Sequence, residues 1–371
     1  MPRFTAITNR LTCFYCGSII KNRSTWGNKK MRAAVFNQAG TPLSIEDVAD
    51  PTPGPGQVVI AVKRCGICGT DLHGTENHEG ALPSGTVPGH EYVGEVVATG
   101  KGVSGPWKTG ARVTGMPFHT CGNCTPCRLG KPWQCDLKSI VGMQDPGGFA
   151  DFVCLDTHNS IILPESISWV EGALIEPMAV GLHAAKMTSS LHGKNILIIG
   201  AGPVGLSVAF WARFMGGYNI VVSEPEAIRA TAALRYGATA TINPFEEEDV
   251  GAAFAKIAGA PPDIIFECVG VPGMIANAID IAAYGSELII VGFCTRQDFF
   301  VPAAAMAKEL VARFVLSYHK ADFEFIAGLM ATDRVEVESM CTGTVDYAGF
   351  AEAFEGLRKP NDHCKIMLAP G

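Results

Sequence analysis

The stretch NILIIGAGPVG, residues 195–205, decides the fold of the C-terminal half of this 371-residue chain. Its first five residues, Asn195–Ile199, predict a buried strand, and the apolar stretch Val204–Met215 predicts a helix directly after it. A glycine-rich turn between a strand and a helix is typical of sites that hold the pyrophosphate of a dinucleotide against a helix N-terminus. The sequence therefore predicts a dinucleotide-binding unit built around this turn.

The glycines of the turn each meet a physical requirement of the predicted site. Gly200 would make the tight turn, Gly202 would let the backbone approach the pyrophosphate, and Gly205 would let the helix pack closely on the strand. Pro203 and Val204 would open the helix that faces the pyrophosphate. A glycine-rich turn in some other α/β protein is the alternative to this interpretation.

Glu224 bears on the identity of the dinucleotide. It follows Gly200 by 24 residues, at the end of the next predicted strand, where a carboxylate can accept hydrogen bonds from the adenosine ribose. A carboxylate there repels a 2′-phosphate, so the sequence favours NAD over NADP. Arg229, which lies close to Glu224 in the sequence, keeps NADP as the less favoured alternative.

The sequence on either side of the turn predicts two domains of different architecture. From residue 193 onward, strands alternate with helices, which predicts a doubly wound parallel sheet, whereas residues 31–163 predict short strands between glycine and proline turns. The predicted elements are the strands Asn195–Ile199, Asn219–Val222, Ala240–Ile242, Asp263–Cys268, Glu287–Val291 and Arg313–Ser317, the helix Trp169–Met187 and a last strand Lys365–Leu368. We expect an α/β protein with a mostly-β domain at 31–180 and 319–371 and a Rossmann domain at 181–318.

Charge and composition exclude several classes of function. The net charge is −7, whereas a surface for nucleic acid or anionic membrane needs clustered positive charge. No apolar run reaches the roughly 18 residues of a membrane-spanning helix. We therefore expect no nucleic-acid partner, no membrane partner and a cytoplasmic location.

Residues 1–30 differ from the rest of the chain, because they contain six Lys or Arg and no Asp or Glu. Organelle-targeting leaders have such a composition. We favour a poorly ordered extension upstream of a start at Met31, and organelle targeting is the alternative.

Four cysteines form a compact cluster in the N-terminal half. Cys121, Cys124, Cys127 and Cys135 lie within 15 residues, a spacing that suits a closed tetrahedral zinc site with a structural role. Disulfides are disfavoured by the expected compartment. A nucleic-acid-binding zinc ribbon is disfavoured by the acidic charge of the chain.

A second candidate metal site is dispersed along the sequence. Cys68, His90, Glu91 and Glu176 offer one thiolate, one imidazole and two carboxylates. Such donors can bind zinc and leave a position open for a substrate oxygen, as a catalytic zinc requires. Spacing alone leaves open that the histidine and glutamates are structural and that Cys65 and Cys68 form a redox pair.

These patterns together resemble the zinc-dependent medium-chain dehydrogenase/reductase family, from Met31 to the C-terminus. The resemblance is carried, in order, by Cys68–His73, Gly89–Glu91, the four-cysteine cluster, Leu174–Pro177 and Gly200–Gly205. Within the family, the chain is most similar to the polyol, butanediol and threonine dehydrogenase branch, because Glu176 stands where other alcohol dehydrogenases carry a cysteine ligand.

The resemblance implies a GroES-like catalytic domain beside the Rossmann domain, and a role for each dispersed residue. Cys68 and His90 would bind the catalytic zinc directly. Glu91 and Glu176 would complete its ligands, directly or through water, and the resemblance leaves open which of them binds directly. Asp71 would orient the imidazole of His90.

The resemblance also implies the chemistry. A secondary alcohol, such as a diol or sugar alcohol, would be oxidised to a ketone with hydride transfer to NAD, and its proton would leave through Thr70, the nicotinamide ribose and His73. Gly69 stands where some relatives place an arginine against the pyrophosphate. The alternatives are an L-threonine 3-dehydrogenase-like enzyme, a zinc-free quinone reductase and a non-catalytic protein that binds zinc and nucleotide.

Oligomerisation is a further expectation from the resemblance. The apolar stretch Ser286–Phe293 predicts a strand, and the resemblance implies that this strand pairs across a subunit interface. An apolar sheet edge left open would favour aggregation. We therefore expect a homodimer or a homotetramer.

Overall fold

The structure is a computed structural model that describes residues 30–76, 81–359 and 361–371. The predicted leader lies outside the described residues except for Lys30, which begins the first strand.

The described residues form seventeen strands, ten α-helices and three short 3-10 helices. The strands are β1 Lys30–Val35, β2 Ser44–Ala49, β3 Gln57–Gly66, β4 Glu91–Thr99, β5 Arg112–Gly115, β6 Phe118–His119, β7 Ser139–Ile140, β8 Phe152–Asp156, β9 Ser160–Ile162, β10 Asn195–Ile199, β11 Asn219–Ser223, β12 Ala240–Ile242, β13 Ile264–Glu267, β14 Glu287–Ile290, β15 Val311–Phe314, β16 Cys341–Val345 and β17 Lys365–Leu368.

The helices are α1 Gly69–Gly74, α2 Thr125–Arg128, α3 Trp169–Lys186, α4 Pro203–Phe214, α5 Ala227–Arg235, α6 Val250–Ala258, α7 Met274–Ile281, α8 Pro302–Ala307, α9 Lys320–Met330 and α10 Tyr347–Gly356. The 3-10 helices are Pro132–Gln134, Thr157–Asn159 and Glu338–Met340. In the described part of the chain, no helix combines the length and the apolar character needed to span a membrane.

The C-terminal half contains the predicted parallel sheet. Its six strands run in the order β12-β11-β10-β13-β14-β15, and every neighbouring pair is parallel. The strand order reverses between β10 and β13, so a crevice opens at the carboxyl ends of these two strands. The glycine-rich turn follows β10 and therefore lies at the position where such sheets bind ligands.

The N-terminal half contains a mostly antiparallel sheet that the end of the chain completes. Its main path is β16-β17-β3-β4-β5-β9, and β8 also pairs with β3. Strand β17 lies antiparallel to β3, with Met367 opposite Gly66 and Leu368 opposite Cys65. The predicted last strand, Lys365–Leu368, is confirmed and belongs to the N-terminal half of the fold.

Helix α3 joins the two halves. It begins at Ser168, whose hydroxyl accepts a hydrogen bond from the Glu171 N–H at 3.1 Å, while the Glu171 carboxylate accepts one from the Ser168 N–H at 2.7 Å. Most of its residues are buried between β4 on one side and α4 and α9 on the other. The predicted domain boundary at 180/181 falls inside this helix, and the division into domains stays a prediction.

The prediction that Ser286–Phe293 forms an edge strand is wrong. The strand there, β14, pairs with β13 on one side and with β15 on the other. Helix α8 returns the chain across the sheet, so one further strand is added outside β14. The edge of the sheet on this side is therefore β15, where Val311 and Phe314 are 44% and 68% exposed, and the opposite edge is β12.

Candidate active site and metal centres

Three of the four dispersed candidate ligands converge in one buried cluster. One donor atom each of Cys68, His90 and Glu91 lie within 4.8 Å of one another. Cys68 directly precedes α1, and His90 directly precedes β4, which begins with Glu91. His90 and Glu91 are buried, whereas Cys68 is partly exposed. A thiolate, an imidazole and a carboxylate in this arrangement suit zinc with one position open.

Asp71 connects the segment of Cys68 to the segment of Gly89 and His90 through hydrogen bonds and an ion-pair contact. Its carboxylate accepts hydrogen bonds from the N–H of Cys68 at 2.9 Å and from the N–H of Gly89 at 3.2 Å. Its Oδ1 also lies 3.3 Å from Nδ1 of His90, an ion-pair distance without hydrogen-bond geometry. Because Nδ1 faces Asp71, Nε2 is the nitrogen left for a metal ion. Burial lowers the pKa of His90, but the charges of Asp71 and Cys68 outweigh it and the net shift is upward.

Lys365 is a site residue that the sequence analysis missed. Its Nζ donates to both carboxylate oxygens of Glu91, at 2.6 and 2.7 Å, and to the carbonyl of Ile67 at 2.9 Å. Both side chains of the ion pair are 1% exposed. Burial lowers the pKa of Lys365, but the charge of Glu91 raises it well above its usual value, so the lysine stays charged. The signal in the sequence is a single lysine at the start of an otherwise apolar strand.

Glu176 lies outside the three-residue cluster. It is buried on α3, and its Oε1 accepts a 2.5 Å hydrogen bond from the hydroxyl of Tyr318. Burial raises the pKa of Glu176. The two glutamates therefore differ, because Glu91 has a lysine as counter-ion and Glu176 has a neutral hydroxyl. Tyr318 was also missed, since nothing in the sequence marks the loop after β15 as part of the site.

Thr70 and His73 lie on α1, three residues apart and therefore on one face of the helix. The sulfur of Cys68 is 3.7 Å from the hydroxyl of Thr70. His73 lines a small pocket of about 20 Å³ together with Gly270 and Arg296 from the parallel-sheet half. The helix thus runs from the metal cluster to the junction of the two halves.

The glycine-rich turn has the predicted shape. Gly200 adopts a φ of +96°, a backbone conformation that favours glycine. A Cβ at position 205 would lie 2.0 Å from the Gly200 carbonyl oxygen, so only glycine lets α4 approach the turn this closely. Gly202, by contrast, borders open space at the start of α4, beside Pro203 and Val204. That space leaves the N-terminus of α4 open to an anionic ligand.

Glu224 lies directly after β11 and is buried against the same turn. Its Oε2 accepts a hydrogen bond from the Ala201 N–H at 2.7 Å, and its Oε1 accepts one from the Glu226 N–H at 3.0 Å. Each carboxylate oxygen has a further lone pair for a ribose hydroxyl. Arg229 lies on α5, and its buried Nε has no hydrogen-bond partner in the described part of the chain.

The four cysteines predicted to form a structural zinc site also converge. Donor atoms of Cys121, Cys124, Cys127 and Cys135 lie within 4.8 Å of one another. The sulfur of Cys121 is 3.9 Å from that of Cys127 and 3.7 Å from that of Cys135. Backbone N–H groups of Asn123 and Cys124 lower the pKa of Cys121 to about 6. The backbone N–H of Cys127 lowers the pKa of Cys124, but burial and the other three cysteine side chains outweigh it and raise that pKa to about 12. Four sulfurs at this spacing fit a tetrahedral zinc ion.

Both halves of the chain match families of known proteins. Residues 54–165 match the family model of the alcohol dehydrogenase GroES-like domain, and residues 203–332 match that of the zinc-binding dehydrogenases. L-threonine 3-dehydrogenase of Aeromonas salmonicida is 32% identical over 82% of this chain and 86% of its own length. Sorbitol dehydrogenase of Bacillus subtilis is 29% identical over 92% of this chain and 98% of its own length.

Solved structures share the whole fold. A short chain alcohol dehydrogenase of Escherichia coli CFT073, complexed with NADH, is 27% identical with a TM-score of 0.82, over 92% of this chain and 99% of that one. A putative zinc-binding dehydrogenase of Sinorhizobium meliloti, bound to NADP, is 29% identical with a TM-score of 0.81, over 92% and 100% of the two chains. The described site residues therefore lie in a fold that holds either nicotinamide cofactor in other proteins.

The Lys365–Glu91 ion pair yields a prediction about stability. In the zinc-free protein, Lys365→Met would leave the carboxylate of Glu91 buried without a counter-ion, and we expect the free energy of unfolding to fall by roughly 3–5 kcal/mol. Lys365→Arg keeps the charge and should recover part of this loss. Denaturant unfolding measures the change, and Lys256→Met on the exposed surface of α6 is the matched control. Equal stability of Lys365→Met and the control would contradict the role of the ion pair.

Proposed function

Because the chain belongs to the zinc-dependent medium-chain dehydrogenase/reductase family, in its polyol and threonine dehydrogenase-like branch, we propose that it oxidises a secondary hydroxyl to a ketone with NAD as hydride acceptor. The favoured substrate class is a diol or a sugar alcohol. The observation that carries the proposal is the convergence of Cys68, His90 and Glu91 beside α1, the helix of Thr70 and His73.

The residues present fit both implied groups. Cys68, His90 and Glu91 would hold the catalytic zinc directly, and Glu176 would act from beside them, because its carboxyl is turned to Tyr318. The turn at Gly202 would hold the pyrophosphate of NAD, and Glu224 would bind its adenosine ribose. When bound, the zinc ion supplies Lewis acidity toward the substrate oxygen and NAD supplies the redox chemistry.

The chain itself contributes positioning and proton transfer. Thr70 has a hydroxyl that both donates and accepts hydrogen bonds, so it can pass on the proton that the substrate hydroxyl loses. His73 lies at the junction of the two halves and is 42% exposed, so it can receive the proton and release it to solvent. Asp71 holds the backbone of the ligand segments in place throughout.

An L-threonine 3-dehydrogenase-like activity is the second candidate. The relative from Aeromonas salmonicida, at 32% identity, supports it. Both activities oxidise a secondary hydroxyl, so the candidate ligands Cys68, His90 and Glu91 do not discriminate between them. A non-catalytic protein that binds zinc and nucleotide is the remaining alternative, and it predicts no turnover.

Substitution of Cys68 tests the proposed function. We expect the purified protein to contain two zinc ions per chain and Cys68→Ser to contain one, because the four-cysteine site is separate from Cys68. Turnover should fall by a factor of at least about 100, more than the loss of an outer-shell partner of a metal ligand causes. The assay follows NADH formation with secondary alcohols, vicinal diols, sugar alcohols and L-threonine, and zinc is measured by mass spectrometry.

Cys341→Ser on β16 is the control for this experiment, since Cys341 belongs neither to the four-cysteine cluster nor to the cluster of Cys68, His90 and Glu91. Full turnover by Cys68→Ser would contradict the proposed zinc site. Zinc and nucleotide binding without turnover of any substrate class would favour the non-catalytic alternative.

The proposed preference for NAD rests on the charge of Glu224. Glu224→Gln removes the charge that repels a 2′-phosphate and keeps one oxygen as an acceptor. We expect the ratio of kcat/KM for NADP to that for NAD to rise by about tenfold or more. Glu226→Gln, a neighbouring change outside the buried turn, is the control. An unchanged ratio, or a parent protein that prefers NADP, would refute the assignment.

We further propose that two copies of the chain pair along the open edge of the parallel sheet. Strand β15 is this edge, and apolar side chains of Val311, Phe314 and Leu316 are exposed along it. Phe314→Glu should convert the expected homodimer or homotetramer to a smaller species, as measured by light scattering. Phe245→Glu is the control, because Phe245 is 85% exposed away from this edge. An unchanged mass for Phe314→Glu would contradict the interface.

A further inference from the structure

An arginine near the C-terminus, Arg358, forms hydrogen bonds with the C-terminal end of α1. The guanidinium of Arg358 donates to the Leu72 carbonyl at 2.7 Å and to the Thr75 hydroxyl at 2.6 Å. It also lies 3.8 Å from the carboxylate of Glu76. Arg358 is 286 residues from Leu72 in the sequence, so this contact depends entirely on the return of the chain to the N-terminal half.

Arg358 is itself firmly held. Its Nε donates to Glu355 at 2.8 Å, and its guanidinium carbon lies 5.3 Å from the ring centre of Phe354. Phe354 is fully buried and packs against the rings of Phe149 and Phe350. The guanidinium is therefore anchored to the core of the N-terminal half and presents a fixed set of donors to α1.

Helix α1 needs external support at both ends. It has six residues, fewer than the roughly 12–15 that an isolated helix needs to be stable in water. Asp71 fixes its first turn to the segments of Cys68 and Gly89. Arg358 fixes its last turn. Thr70 and His73 lie between these two anchors.

Glu76 links Arg358 to His73. Its Oε1 lies 3.5 Å from Nδ1 of His73 and 3.8 Å from the guanidinium of Arg358. A carboxylate near Nδ1 favours the tautomer with the proton on that nitrogen, in which Nε2 is the basic nitrogen. The other charged side chain that lines the same small pocket is Arg296, from the parallel-sheet half.

We propose that Arg358 is a positioning residue for proton release, which fixes the end of α1 and, through Glu76, the imidazole of His73. The inference rests on the proposed function, since that function gives His73 its role. The step is a proton transfer: the substrate hydroxyl would lose its proton to the hydroxyl of Thr70, and Nε2 of His73 would gain the proton that leaves the site. His73 would then release it to solvent, and NAD, when bound, would supply the hydride acceptor.

The test compares Arg358→Met, Arg358→Lys and Glu76→Gln with the parent. We expect Arg358→Met to lower kcat about tenfold, a part of what acid–base catalysis contributes, with the KM for NAD and the zinc content unchanged. Added imidazole should restore turnover in Arg358→Met, because a base from solution can replace a misplaced one. Arg358→Lys and Glu76→Gln should each lose less. The control is Arg334→Met, an exposed arginine outside the site.

A second readout does not depend on turnover. Nitrogen-15 spectra of the histidine rings, with His73 assigned by His73→Gln, should show a changed tautomer ratio for His73 in Arg358→Met and in Glu76→Gln. The proposal is overturned if these ring signals match the parent, or if added imidazole leaves the turnover of Arg358→Met unchanged. If the parent protein shows no turnover but the ring signals of the two variants change as expected, the proposed function is refuted. The contact of Arg358 with His73 through Glu76 would then still be supported.

Discussion

The ion pair between Lys365 and Glu91 is the interaction on which the N-terminal half of the structure depends. Two buried charges at 1% exposure are tolerated only as a pair, so β17 has to lie where Lys365 reaches Glu91. The ion pair leaves no room for a side chain at position 66, because a Cβ there would lie 2.0 Å from Oε2 of Glu91. Gly66, directly opposite Met367 in the sheet, is therefore required by the same contact.

Residues near the C-terminus thus contact and position the candidate site residues that come from the N-terminal half of the chain. Lys365 fixes a candidate metal ligand, and Arg358 fixes the end of the helix that carries Thr70 and His73. Both side chains come from the last part of the chain, after the parallel sheet is complete. Formation of the active site is therefore coupled to the closing of the antiparallel sheet, and the two halves of the protein meet around α1 and α3.

Features that are encoded locally could be predicted from the sequence. Contacts between residues that are far apart in the sequence could not. Strands Asn195–Ile199 and Lys365–Leu368 have the predicted bounds, because apolar periodicity and flanking turns are encoded locally. Lys365 and Tyr318 reach their partners over 274 and 142 residues, and no local pattern marks such contacts. The prediction of a sheet edge at Ser286–Phe293 is wrong for a related reason. Whether a strand lies at an edge depends on whether a later strand of the chain pairs beside it.

We propose that Cys68, His90 and Glu91 bind a zinc ion directly, while Glu176 stays outside the set of direct ligands. Anomalous diffraction at the zinc absorption edge, on crystals of the zinc-loaded protein, tests it most directly. We expect a peak about 2.0–2.3 Å from the Cys68 sulfur, a ring nitrogen of His90 and a carboxylate oxygen of Glu91. A peak bound by Glu176 in place of Glu91, or no peak among these residues, would contradict the claim.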